Sequence, residues 1–153
     1  MSIEDDLKTN KTLPLTTKTV VNLMYTSGFV FNSLTKALKP HDVTTQQFNV
    51  LRILRGQKGK GVTLATIQER MVNKMSNTTR LIDKLKQKQY VTRVLDKDNR
   101  RKVSISITKE GLSFLSSIEE LIDNTEKEVT KNLTSQELII LNDFLEKIRQ
   151  NSN

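Results

Sequence analysis

The chain has 153 residues, a formal net charge of +8, 35% apolar residues, no Trp, no Cys and a single His, with a mean hydropathy of −0.46. That length suits one compact domain with extensions used for assembly, and the absence of cysteine excludes a disulfide framework, a thiolate zinc site and a thiol redox switch. The excess charge is concentrated: from Arg70 to Glu110 twelve Lys and Arg stand against four acids, whereas residues 111–153 are acidic overall.

The first fourteen residues are polar, end in Pro14, and read as a loose arm. From about Thr16 to Leu38 the apolar positions Val20, Leu23, Met24, Phe31, Leu34 and Leu38 follow helical spacing. Pro40 closes that helix, because the residue before a proline is pushed out of the α region. Thr44-Thr45-Gln46-Gln47 has the form of a capping box, with Thr44 as N-cap and Gln47 three residues on. It opens a helix through Phe48, Val50, Leu51, Ile53 and Leu54. The three glycines of 56–61 end it in a loop. This loop is no phosphate-binding loop, because Val62 follows Gly61 where that motif needs a lysine.

Thr63 then caps a short helix through Leu64, Ile67 and Met71, and the turn Val72-Asn73-Lys74 leads to a further helix from about Met75 to Gln87. Met75, Ile82 and Leu85 mark its inner side. Ser76, Asn77, Arg80, Asp83, Lys84 and Gln87 mark its outer side, and Thr78 and Thr79 fall nearer the inside. Two short helices joined by a tight polar turn, the second basic on its outer face, make a helix-turn-helix pattern. Two β-like runs follow, 90–95 and 103–107. In the second, Val103, Ile105 and Ile107 alternate with serines. The tip between them, 96–102, is charged, and a basic hairpin directly after a helix-turn-helix has the order of a wing.

Thr108 caps the next helix, where Leu115, Ile118, Ile122, Thr125 and Val129 are spaced as a coiled-coil-like stripe. Thr134-Ser135-Gln136-Glu137 is a second capping box and opens a last helix with Leu138, Leu141, Phe144, Leu145 and Ile148 inward. Being acidic, these two helices suit self-association, or burial against the chain's own first helix, better than contact with DNA.

From Thr44 to Gly111 the chain resembles the MarR (multiple antibiotic resistance regulator) family. Four pieces carry the resemblance: Val43 to Leu51, Met75 to Leu85, Val91 to Arg101, and the run Val103-Ser104-Ile105-Ser106-Ile107-Thr108-Lys109-Glu110-Gly111. Four positions depart from it. Gln89 stands where a glycine commonly ends the recognition helix, Lys97 replaces a common proline, Asn99 replaces an aspartate that would pair with Arg101, and Gln68 occupies a position that is commonly small.

The resemblance implies a mainly α fold with a small two-stranded β wing. Residues 43–111 would form the winged helix-turn-helix lobe, and 1–42 with 112–153 the dimerisation helices. It implies a homodimeric regulator, a repressor, that binds palindromic operators in double-stranded DNA and is released by a small, often aromatic, effector. Met24, Phe31 and His41 are candidates for lining an effector site, with core packing or plain solvent exposure as the alternative. The expected DNA-binding residues are Ser76, Asn77, Thr78, Arg80, Lys84, Arg100 and Arg101. Arg80 can fork onto guanine O6 and N7, or pair with Asp83 one turn on. Arg101 can enter a minor groove, or hold the wing through an ion pair.

No catalytic residue, metal site or cofactor is expected. There is no cysteine nucleophile, His41 stands alone and no paired carboxylates form a recognisable site. No apolar run nears the roughly 20 residues that span a bilayer, and the acidic start lacks the order of a secretory signal. A cytoplasmic protein without a membrane partner is therefore expected. The competing reading from another class is a winged-helix module that binds protein or structured RNA.

Overall fold

The computed structural model describes residues 1–95, 97–99 and 101–150. Among the described residues seven α-helices and two strands follow one another as α1 (Ile3–Asp6), α2 (Leu15–Leu38), α3 (Thr45–Arg55), α4 (Leu64–Arg70), α5 (Thr78–Gln87), β1 (Val91–Leu95), β2 (Val103–Ile107), α6 (Lys109–Thr130) and α7 (Ser135–Arg149), with a 3-10 turn at Lys39–His41 after α2. The fold is mainly helical with a two-stranded antiparallel wing. Among the described residues no helix is long and apolar enough to cross a membrane.

The chain divides into two compact units, residues 35–122 and residues 1–34 with 123 onward. In the first unit Val50, Leu51, Leu54, Ile67, Met71, Ile82, Leu85, Val91, Ile105 and Leu115 form one buried cluster. Helices α3 and α4 are held at their starts by the residues expected. The Thr44 hydroxyl accepts the Gln47 N–H at 3.1 Å while Gln47 Oε1 accepts the Thr44 N–H at 3.1 Å, and the Thr63 hydroxyl accepts the Thr66 N–H at 3.2 Å. Strand β1 pairs with β2 in the register Val91↔Ile107, Arg93↔Ile105, Leu95↔Val103. Val62 adds a one-residue bridge to Ile105 on the other side of β2. The outer edge of β2 is therefore not free at Ile105. A Cβ on Gly61 would lie 1.7 Å from the Ser104 hydroxyl oxygen, so a larger residue there would force that hydroxyl to turn away.

The stripe of α6 is buried at Leu115, Ile118 and Ile122 and half-buried at Thr125 and Val129. Thr134 and Glu137 form their capping box at the head of α7, with Glu137 Oε2 accepting the Thr134 N–H at 2.7 Å.

In the second unit the expectations need correction at three places. The first fourteen residues are not wholly loose, because Ser2 and Asp5 form a capping box that starts α1. Ile3 is buried there and Glu4 pairs with Lys18 at 3.0 Å. Helix α7 buries none of its residues. Leu138 and Leu145 are half-buried, while Leu141, Phe144 and Ile148 are exposed. Of the apolar positions expected to line α2 only Leu38 is buried, and Val20, Met24 and Phe31 are exposed. Capping and spacing make these helices, and among the described residues much of their apolar surface is left exposed.

Candidate nucleic-acid interface

Helix α5 starts three residues later than its apolar spacing implies. Asn77 is its N-cap, with the side-chain Oδ1 accepting the Arg80 N–H at 3.1 Å. Met75 consequently lies outside the helix, and it is 92% exposed rather than part of the inner side. The start of α5 is also fastened from behind. Gln68 on α4 donates through Nε2 to the Lys74 carbonyl at 2.9 Å and accepts through Oε1 from the Thr78 hydroxyl. The unusual glutamine at 68 thus joins the two helices of the motif by hydrogen bonds where a small residue would join them only by close approach.

That fastening changes the set of outward groups. Thr78 is buried, 7% exposed, with its hydroxyl turned to Gln68, so its expected place on the DNA-facing side is corrected. Ser76 is half-buried, and its hydroxyl oxygen is occluded without a hydrogen-bond partner. Thr79, expected nearer the inside, is exposed, as are Asn77, Arg80 and Lys84. The later helix start takes Met75, Ser76 and Asn77 off the helical bearing, whereas Thr79 lies inside the helix in either case and is exposed in its first turn.

Asp83 does not serve as the partner of Arg80. It lies 3.7 Å from the Arg93 guanidinium on β1, which ties α5 to the wing strand. Among the described residues Arg80 makes no ion pair, and its guanidinium is left on the outer face. Lys88, at the foot of α5, is held by Asp42 at 3.3 Å. Beside it Lys39, Lys84, Thr44 and Gln47 help to line an open cavity of about 470 Å³.

The passage from α5 into the wing depends on backbone geometry. Gln89 takes the left-handed conformation at φ 63°, the one a glycine there would adopt freely. Its N–H donates to the Lys86 carbonyl at 2.9 Å, and the Tyr90 N–H donates to the Leu85 carbonyl at 3.0 Å. This is a Schellman ending made without glycine. Thr108 then stitches β2 back to the same point: its hydroxyl donates to the Gln89 carbonyl at 2.7 Å and accepts the Gly111 N–H at 3.0 Å. A Cβ at Gly111 would sit 2.3 Å from the Tyr90 carbonyl oxygen, so α6 comes this close only with glycine.

At the wing tip Arg101 is exposed. Asn99 Oδ1 accepts its N–H at 3.1 Å, and the Asn99 carbonyl accepts the Lys102 N–H at 2.8 Å. The asparagine that cannot form an ion pair therefore shapes the turn. Arg100 and Asp96 lie outside the described residues. The rigid lobe thus carries two exposed sets of polar and cationic groups, one along α5 and one on the hairpin. Among the described residues no group of His, Asp or Glu is arranged to hold a metal ion.

The MarR family model matches residues 43–103, which run from the start of α3 through the wing. The multiple antibiotic resistance protein MarR of Escherichia coli is 28% identical over 116 residues, covering 75% of this chain and 79% of its own length. Over residues 43–103 the chain is similar to the MarR family. The similarity is to DNA-binding transcription regulators. A MarR-like regulator from Bacillus cereus superposes with a TM-score of 0.80 at 25% identity, over 90% of this chain and 98% of its own. A cysteine-to-serine variant of E. coli MarR, solved with operator DNA, has the same fold at a TM-score of 0.76 and 24% identity, over 89% of this chain and 99% of its own. So has BpsR of Bordetella bronchiseptica, whose DNA binding is regulated by 6-hydroxynicotinic acid, at 0.75 and 19%, over 84% and 96%.

Proposed function

We propose that this protein is a MarR-family homodimeric repressor that binds a palindromic operator through α5 and the wing. The observation that carries this reading is the outer face of α5. Asn77, Thr79, Arg80 and Lys84 stand exposed on a helix whose start and end are both pinned to a buried core. An α-helix fits the roughly 12 Å major groove, and fixed donors along it can discriminate base edges. Arg80, without a carboxylate partner among the described residues, is assigned to base readout. Asn77 has its carbonyl oxygen committed to the cap, so its NH2 group is the part left to donate to a base or phosphate. Lys84 is assigned to a phosphate.

Arg101, and with it Arg100, is assigned to the minor groove next to the site, where a narrow electronegative channel favours arginine. Ser76 enters this set only if its side chain rotates outward, and Thr78 is assigned to holding the helix.

One recognition helix reads only a few base pairs, so a symmetric pair is needed, with half-sites about one helical turn apart, on the order of 34 Å. Val20, Met24 and Phe31 on α2, with Leu141, Phe144 and Ile148 on α7, supply uncovered apolar surface for such pairing. We accordingly assign residues 1–42 and 112–153 to dimerisation and 43–111 to reading DNA. A protein that binds operators works where the chromosome is, so we assign it to the cytoplasm.

We extend the proposal to release by a small aromatic effector, to which Met24 and Phe31 offer apolar contacts. Such a ligand acts by binding the arrangement with the wrong half-site separation more tightly. A panel of aromatic acids including 6-hydroxynicotinic acid, titrated against the protein–duplex complex, should contain a member that weakens it. A panel without effect would remove the effector from the proposal.

The test of readout is a duplex titration with Arg80 and Arg101 both changed to Ala. A bidentate base contact contributes about 1–3 kcal/mol, so affinity should fall about tenfold or more. Unchanged affinity would overturn the reading in favour of a protein- or RNA-binding lobe.

A further inference from the structure

The turn between α4 and α5 holds a side chain that the core does not use. Met75 is 92% exposed, although the backbone that carries it is held by hydrogen bonds on both sides. The Val72 N–H donates to Asn49 Oδ1 at 2.9 Å, and the Met75 N–H donates to Asn73 Oδ1 at 2.9 Å. The Ser76 N–H donates to the Asn73 carbonyl at 3.2 Å, and the Lys74 carbonyl accepts Gln68 Nε2 at 2.9 Å. Four hydrogen bonds within five residues fix the root of the Met75 side chain, two positions ahead of the residue that caps α5.

A long apolar side chain on a fixed base, beside the cationic start of the helix, is placed as a contact group. The first turn of a recognition helix is where base edges are met. Of the four bases only thymine offers a methyl group in the major groove, and apolar side chains recognise it there. The thioether is unbranched and polarisable and adapts to such a contact. We propose that Met75 is a specificity-determining residue that selects a thymine in each half-site by packing on its C5-methyl. This rests on the operator-binding reading and adds to it a base that no polar residue of α5 would read.

The experiment uses the full-length protein and an operator obtained by selection from random duplexes. Thymines are replaced symmetrically, one pair at a time, by deoxyuridine, which removes only the methyl group. The wild type should show one pair whose replacement weakens binding by about threefold to tenfold. Met75→Ala should bind the thymine duplex more weakly by a similar factor and show no further loss on the uracil duplex. Met75→Leu should keep part of the dependence, and Arg80→Ala should keep all of it. Since the side chain is exposed, Met75→Ala should melt at the wild-type temperature. A wild-type protein indifferent to every thymine methyl, or a methyl dependence that persists in Met75→Ala, would overturn the assignment. A selection that enriches no duplex would instead overturn the operator-binding reading beneath it.

Discussion

The two units of this chain are built from helices of similar local quality and differ in what their apolar faces meet. In residues 35–122 Leu51, Leu54, Ile67, Ile82 and Leu85 are fully buried together. The helices of residues 1–34 and 123–150 also carry apolar residues at helical spacing, yet Met24, Phe29, Phe144 and Ile148 remain open to solvent. A spacing of three and four therefore says that a helix has a face to cover, not that its own chain covers it. The charges divide the same way: the basic excess lies on the lobe with the complete core, and the acidic excess on the helices with the incomplete one. A rigid lobe suits groups that must hold register against a duplex, and an uncovered face suits a partner copy.

The largest effect should come from treating both regions alike. Ile82→Ala empties a site in the closed core and should cost about 2–5 kcal/mol of unfolding free energy, measured by denaturant titration at a concentration where the protein is fully assembled. Phe144→Asp should leave the lobe folded but shift sedimentation from dimer to monomer. Equal loss of folding in the two variants would remove the distinction between the regions.

Gly111→Ala probes the stitch between α6 and the wing. With backbone 2.3 Å from the new Cβ, it should cost about 1–3 kcal/mol, read in the same unfolding assay. Asn77 separates cap from contact. Asn77→Ala should lose about 1 kcal/mol of stability with the cap, whereas Asn77→Asp should keep stability and still lose duplex affinity, because it exchanges a donor for a negative charge beside phosphates. Gln89→Gly should stabilise the protein by about 0.5–1 kcal/mol by relieving a left-handed residue.

The smallest effect lies at the head of α7. Hydrogen bonds from the Thr134 backbone N–H and side chain hold the Glu137 carboxyl below its ordinary 4.5. The charged form is the one favoured by folding, so its contribution is complete above that ordinary value and disappears as pH falls through the lowered one. Acid titration of the α7 helical signal should show this loss in wild type and not in Glu137→Gln.

What the sequence made legible was whatever is decided locally. The capping boxes at Thr44 and Thr134 and the cap at Thr63 each depend on residues a few positions apart and take the form expected, and β2 forms as a strand although its serines are as half-buried as Val103 and Ile107. The resemblance also placed Gly111 correctly at the start of α6, where the structure supplies the reason in the Tyr90 carbonyl. Contacts made across the chain were not legible. Gln68 reaches ten residues to Thr78 and turns it inward, and Asp83 finds Arg93 instead of Arg80. The start of α5 was misplaced because Met75 has the right spacing for the inner face, while Asn77 takes the cap and leaves Met75 outside. The capping box of α1 was present in Ser2 and Asp5 but belongs to a helix of only four residues, too short for periodicity to mark.

The most direct test of the account is selection of bound sequences from a random duplex library with the full-length protein. It should enrich a two-fold symmetric motif whose half-sites are centred about one helical turn apart. Enrichment of a single unpaired half-site, or no enrichment over the starting pool, would contradict the claim that paired copies of α5 and the wing read DNA.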